Sequence, residues 1–201
     1  TGKLGSLIAD CFAILSDVSN VYYVCSRNAI LPQSPKITIL YVDNVSSLEK
    51  MIINILCNVN IDIIIHSMAV SDYRIRSVTS ISNLARSGVT QKEKINKLNN
   101  KTATSIFKML LDKSDSILGE GGKISSDIDD MLLLLEKTPK IISLFKKTSP
   151  KSLLLGFKLM DNIQENTLID TALRLLEANK CDFVLANDLK EIKGDNHIGY
   201  L

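Results

Sequence analysis

The amino-acid sequence predicts an α/β domain built on a mainly parallel sheet. Three observations predict it. Short, nearly continuous apolar runs recur at Lys36–Val42, Asp62–Val70, Ser152–Leu159 and Cys181–Asn187, as expected of strands buried on both faces. Segments with helical spacing separate them, the first being Leu4, Leu7, Ile8, Cys11, Phe12 and Leu15. The chain has 201 residues, 45% hydrophobic and 23% charged, enough for one sizeable core and a little short for two.

The elements follow in order. A glycine-containing start, Thr1–Gly5, runs directly into the first helix. Such a segment usually follows a strand, so the natural chain is expected to begin earlier, with a first strand and loop ahead of Thr1. Val21–Cys25 and Lys36–Val42 are β-prone, and Ser46–Cys57 places Leu48, Met51, Ile52, Ile55 and Leu56 on one side of a helix. Asp62–Val70 is the next strand. Met131–Leu135 reads as a strand by its length and as a helix by its leucines. At Thr138-Pro139-Lys140 a helix is expected, with Thr138 as N-cap and Pro139 at the first helical position. A further helix over Ile163–Asn179 separates the last two strands. Residues 74–122, rich in Ser, Lys and Asn, are weakly periodic apart from a short helix around Thr104–Leu111. They read as a flexible lid or dimerisation arm within a single domain spanning 1–201.

Composition excludes several function classes. A formal net charge of +2 is too small to argue for nucleic acid or a membrane surface. Five Phe, five Tyr and no Trp make a base-stacking platform a poor fit. The four cysteines form no CxxC pair and have no His at metal spacing, so no metal ligand is assigned. They read as reduced, mostly buried thiols, which suits a reducing compartment. With no signal peptide and no apolar run near the ~20 residues of a membrane span, the expected location is cytoplasmic.

In an open parallel sheet, ligands sit beyond the carboxyl ends of the strands. The foremost candidate is therefore His66–Tyr73, where small residues allow close approach and backbone N–H groups suit phosphate oxygens. Asp72 there can accept from a base amino group, or simply cap a turn. His66 is a catalyst or a packed, hydrogen-bonded side chain. Gly121-Gly122-Lys123 suggests a loop carrying a cation for phosphate charge, or an exposed lysine; the spacing is not GxxxxGK[ST]. The helix start at Pro139, Lys140, Ile141 and Ile142 offers donors to an anion, or is a helix start and nothing more. Phe157 closes a buried strand, as a base-stacking ring or as core. Asn187 follows the last strand and can equally make a turn.

Taken in order, these motifs resemble the phosphopantothenate–cysteine ligase family, in its stand-alone bacterial form. The matching stretches are TGKLG at Thr1–Gly5, HSMAVSDY at His66–Tyr73, GKISS at Gly122–Ser126, EKTPKIISL at Glu136–Leu144, LLGFKL at Leu154–Leu159 and CDFVLANDL at Cys181–Leu189. The resemblance implies a Rossmann-like three-layer fold. It implies a ligase of coenzyme A biosynthesis joining 4′-phosphopantothenate to L-cysteine through an acyl-nucleotide, with Mg²⁺ and a nucleoside triphosphate, CTP ahead of ATP. A homodimer is the family expectation. By the same resemblance His66, Ser67 and Met68 flank the nucleotide, Asp72 contacts its base or sugar side, and Lys123 meets the phosphates. Pro139–Ile142 lie at the triphosphate and Phe157 beside the nucleotide. Gly2 falls in the TGKLG stretch and Asn187 matches the strand-end Asn of the family's AND motif; both are candidates for lining the substrate site, with no role assigned to Asn187.

The chain also departs from the family. The helix before the last strand ends Arg174–Lys180 without the family's further lysines, and the family's Gly-rich first strand and loop do not occur. The final helix is absent too, so a chain with no more than these residues is expected to be inactive. Two other readings remain open on the residues alone. An NAD(P)-dependent oxidoreductase needs GxGxxG after a first strand, which the GKLG at residues 2–5 does not supply. A non-catalytic nucleotide-binding module is the other.

Overall fold

The computed structural model describes residues 2–91, 103–113, 128, 130–194 and 198–201. The chain divides into two units, Thr1–Ser71 with Pro139–Leu201, and Asp72–Thr138.

In the first unit, helix α1 (Lys3–Ala13) starts at Gly2, whose φ of 74° is left-handed. A Cβ there would meet the Tyr23 hydroxyl at 3.1 Å, so both conformation and space call for glycine. The helix buries Ser6, Ala9 and Ala13, small residues three and four apart on one face. That stripe lets it sit close on the parallel pair β1 (Val21–Cys25) and β2 (Ile37–Tyr41), where Ala9, Ala13 and Ile37 pack with Val21, Tyr23 and Ile39. The Asp10 carboxylate accepts the backbone N–H groups of Gln33 and Ser34 at 2.9 and 2.8 Å, tying the β1–β2 link to α1.

Helix α2 (Val45–Asn58) begins in a capping box: the Asn44 side chain accepts from Ser47 N–H, and Ser47 answers to the Asn44 backbone. Its Leu48 and Ile52 enter the larger core. Beneath them lies a second parallel sheet in the order β3 (Ile63–His66), β6 (Leu153–Met160), β7 (Phe183–Asp188). Helices α5 (Ile142–Thr148) and α6 (Glu165–Asn179) supply Ile142, Phe145, Leu168 and Ala172 to the same core. Leu154 and Leu168 are 0% and 1% exposed, each contributing roughly 1.5–3 kcal/mol by burial. At Gly156 an added Cβ would stand 3.3 Å from Ile142 Cδ1, so α5 approaches β6 closely there.

In the second unit, β4 (Tyr73–Ser80) and β5 (Met131–Lys137) form an antiparallel pair with a bulge between Ile75 and Ser77. Ser80 caps α3 (Ile81–Thr90), its hydroxyl accepting Asn83 N–H at 3.1 Å, and α4 (Ala103–Lys113) packs on α3. Cross-strand partners Arg74 and Glu136 form an ion pair at 2.7 Å, and Arg76 pairs with Asp112.

Several expectations are corrected. Residues 74–90 are a strand and a helix: the first four residues of β4 are exposed and its Arg and Ser content leaves no apolar run to mark it. Met131–Leu135 is strand. The strand expected over Asp62–Val70 ends at His66. Thr138 and Pro139 do not open a helix. Thr138 N–H donates to the Asp72 carbonyl at 3.0 Å, holding the chain on from the β4–β5 ladder, so α5 starts only at Ile142. Phe157 lies within β6 instead of closing it, because β6 runs on to Met160 against β7. Cys25 and Cys181 are buried, but Cys11 and Cys57 are exposed on the outer sides of their helices. Among the described residues no helix is long and apolar enough to cross a membrane.

Candidate functional site

The carboxyl end of β3 organises the candidate site of the first unit. His66 is its last residue and pairs with Gly156. Its ring stands edge-on to Phe145, centroids 5.3 Å apart and planes at 60°. Desolvation there lowers its pKa to about 4, so the imidazole is neutral at neutral pH. It is a packed histidine rather than a cation poised for phosphate.

Ser67 is exposed and lies against the first turn of α1: a Cβ on Gly5 would meet Ser67 Oγ at 3.1 Å and the Tyr23 ring at 3.6 Å. Met68 packs on the large core. His66–Met68 thus join a surface made by Gly5, Tyr23 and Phe145, three residues that the sequence pattern did not single out. The signal for Gly5 was available, since a helix N-terminus facing a strand end leaves little room for a side chain. The signal for Phe145 was not, because nothing local relates residues 79 positions apart. These residues line one end of a cleft of about 380 Å³ between β1 and β3.

The remaining candidates fall in different places. Ile141 and Ile142 are buried, and Pro139 and Lys140 exposed, in a tight first turn where the N–H groups of Ser143 and Leu144 bond the carbonyls of Lys140 and Ile141. Phe157 pairs with Leu185; by strand alternation it lies on the opposite face from Gly156, away from Ile142. Asn187 is buried, and its side-chain amide donates to the Ile198 carbonyl at 2.7 Å, so it ties down residues 198–201 beside β7. Gly2 accepts at its carbonyl from the Tyr23 hydroxyl. Asp72 belongs to the second unit, next to β4. Lys123 lies outside the described residues.

Two further carboxylates shape the strand ends. Asp188 accepts N–H groups of Asn162, Ile163 and Lys190 at 2.9, 3.2 and 3.0 Å, holding the turn after β6, with Asn162 at a φ of 50°. Those bonds keep its carboxyl below the usual carboxylate range. At the opposite end, Asp182 is held low first by its hydrogen bond from Lys146 and then by Leu154 N–H. Among the described residues no group of three or more His, Cys, Asp or Glu is placed to hold a metal ion.

Comparison with known proteins points to the same family as the motifs. No family model matches the chain. The chain is similar to the coenzyme A biosynthesis bifunctional protein CoaBC of Methanocaldococcus jannaschii, 32% identical over 78 residues, which is 38% of this chain and 19% of the relative. The same protein of Thermococcus kodakarensis is 42% identical over 60 residues, 30% of this chain and 15% of the relative. The matches thus span less than a fifth of the length of these curated relatives. The crystal structure of the DNA/pantothenate metabolism flavoprotein from Streptococcus pneumoniae superposes with a TM-score of 0.72 at 31% identity, covering 99% of this chain and 76% of that one. Motif order, a Rossmann-like α/β architecture and a 31% identical relative along almost the whole chain agree, and the chain belongs to the phosphopantothenate–cysteine ligase family.

Proposed function

We propose that this chain carries the ligase function of coenzyme A biosynthesis that joins 4′-phosphopantothenate to L-cysteine. The observation that carries the reading is the 31% identity to the pneumococcal flavoprotein over 99% of the chain, with His66, Ser67 and Met68 of the HSMAVSDY stretch at the carboxyl end of β3. In the first step the substrate carboxylate attacks the α-phosphate of a nucleoside triphosphate, releasing pyrophosphate and leaving an acyl-nucleotide. In the second, the cysteine amine attacks the acyl carbon, a proton leaves the nitrogen, and the nucleoside monophosphate departs as the amide forms. Both steps depend on alignment and on stabilising negative charge, without a protein nucleophile.

The residues fit those needs. The His66–Met68 backbone, beside the open first turn of α1 at Gly5, offers a surface that phosphate or sugar can approach closely. Asp72 is proposed to read the nucleotide, with CTP preferred over ATP, and Lys123 to meet the phosphates. Phe157, half-buried on the other face of β6, is a stacking surface for the base in this reading. Mg²⁺ is proposed to arrive on the triphosphate oxygens, where it would neutralise charge. A homodimer is supported by the β4–β5 pair, whose cross-strand partners Ile75 and Leu135 are 54% and 53% exposed.

Pyrophosphate release tests the reading. It should require both phosphopantothenate and a nucleoside triphosphate, while cysteine should be needed only for turnover. Pyrophosphate formed equally well without phosphopantothenate, or not at all from the natural full-length protein, removes the proposal.

A further inference from the structure

Helix α1 opens on a residue that cannot cap it with a side chain: its N-cap is Gly2. A hydroxyl from β1 holds that end instead. The Tyr23 phenol lies 3.1 Å from the Gly2 carbonyl and 3.0 Å from the Ile30 carbonyl, with both as acceptors. A phenol has a single proton, so the two carbonyls share it. The Gly2 carbonyl also accepts the first helical bond of α1, from Ser6 N–H at 2.9 Å. Tyr23 therefore ties the first turn of α1 to the connection between β1 and β2. That connection packs against the same turn: a Cβ on Gly2 would stand 3.2 Å from Ala29 Cβ and 3.4 Å from Ile30 N. Desolvation first, and then Cys25, raise the phenol above its ordinary pKa of 10.0, so it remains a donor at neutral pH.

The same side chain reaches the candidate site. From the position a Gly5 Cβ would take, the Tyr23 ring is 3.6 Å away, its hydroxyl 3.7 Å and Ser67 Oγ 3.1 Å. Ser67 follows the last residue of β3, which is set by its ladder with β6. Gly5 is carried by α1, whose contacts in the smaller core cluster begin only at Ala9. The gap between Gly5 and Ser67 thus has β3 on one side and, on the other, a helix end tied down by the Tyr23 hydroxyl.

We propose that Tyr23 is a positioning residue for the candidate site: through Gly2 its hydroxyl sets the first turn of α1 against the end of β3, and so fixes the gap between Gly5 and Ser67. Its place in catalysis rests on the ligase reading; its hold on α1 does not. Tyr23 acts at one remove from the chemistry. A reacting group misplaced by about 1 Å can lose on the order of a hundredfold in rate. Attack of a carboxylate on an α-phosphate needs the two aligned, so a first turn free to shift spoils alignment more than it weakens binding. The hydroxyl carries this role, not the ring. The ring packs with Ala9, Ala13 and Ile37 in the smaller core cluster and serves stability.

Tyr23→Phe separates the two, since it keeps the ring and removes the hydroxyl. In the natural full-length protein, pyrophosphate release by this variant should show kcat about tenfold or more below the parent, with KM for phosphopantothenate and nucleotide little changed. A thermal double-mutant cycle with Gly5→Ala needs no activity. In the parent, the added methyl meets Ser67 Oγ and should lower the unfolding midpoint. In Tyr23→Phe the first turn can give way, so the same methyl should lower it less. Equal shifts in the two backgrounds overturn the hold on α1, and the proposal with it. A raised KM with unchanged kcat also overturns it, making Tyr23 a binding contact; so do unchanged kinetics. If the parent itself releases no pyrophosphate, the ligase reading fails and takes the catalytic role with it, while the cycle still decides whether Tyr23 holds the helix.

Discussion

The imidazole of His66 stands edge-on to Phe145, 5.3 Å between ring centroids, where the end of β3 meets the first turns of α5. The contact couples a candidate-site residue to the core, because Phe145 is 6% exposed and packed with Leu154 and Leu168 in the large cluster. It also fixes the charge state of the histidine, whose burial favours the neutral ring.

That charge state makes stability depend on pH. The folded pKa is about 4, against 6.5 for the free side chain. Between these values the unfolded chain binds the extra proton, so stability is complete above about pH 6.5 and is lost as pH falls toward 4. The loss should come to about 1–3 kcal/mol, given that His66 is half-buried. In His66→Gln, urea midpoints between pH 7 and 4.5 should vary much less than in the parent; an equal slope in both would remove the assignment. Asp182 and Asp188, whose folded carboxyls are held low, act in a different window, withdrawing stability only as pH drops below about 4.

The approach of Gly5 to Ser67 predicts non-additive mutants. Gly5→Ala places a methyl 3.1 Å from Ser67 Oγ, closer than comfortable contact, and should cost about 1 kcal/mol of stability. Ser67→Gly in the same chain should restore most of that loss by clearing the space. Simple additivity in the thermal double-mutant cycle would show that the two positions do not touch.

Lys146 anchors the amino ends of two strands. Its ammonium reaches Asp182 at 2.6 Å and the Ser152 carbonyl at 2.8 Å, and it is only 14% exposed. Lys146→Met leaves both acceptors without this donor and should lower stability by about 1–3 kcal/mol. Its effect should be strongest above pH 5, where the Asp182 carboxylate is charged. Equal denaturant midpoints for mutant and parent at pH 7 would dismiss the anchor.

Two substitutions address the proposed nucleotide contacts. Lys123→Ala should slow acyl-nucleotide formation about tenfold or more while phosphopantothenate binding is little changed; identical single-turnover rates would refute the role. Asp72→Ala should narrow the preference between CTP and ATP, read as the ratio of kcat/KM values, and an unchanged ratio would exclude Asp72 as the reader.

The sequence by itself determined the parallel core strands and the helices between them, because continuous Ile, Leu and Val runs such as Ile37–Tyr41 and Leu153–Met160 are local signals. The motif order is equally local, and it places His66–Met68 at a strand end. It did not reveal β4, whose first four residues are exposed and include two arginines. Nor did it show that Thr138 stays bonded to Asp72, a pairing between residues far apart in the chain. Tertiary structure alone decided that His66 is neutral, since its pKa follows from the Phe145 packing and the loss of water around its ring. It alone decided that the cleft between β1 and β3 is lined by Ile8 and Phe12 of α1 and by Ile52 and Ile55 of α2. Periodicity reports which face of an element is buried; which edges meet depends on contacts that only the folded chain creates.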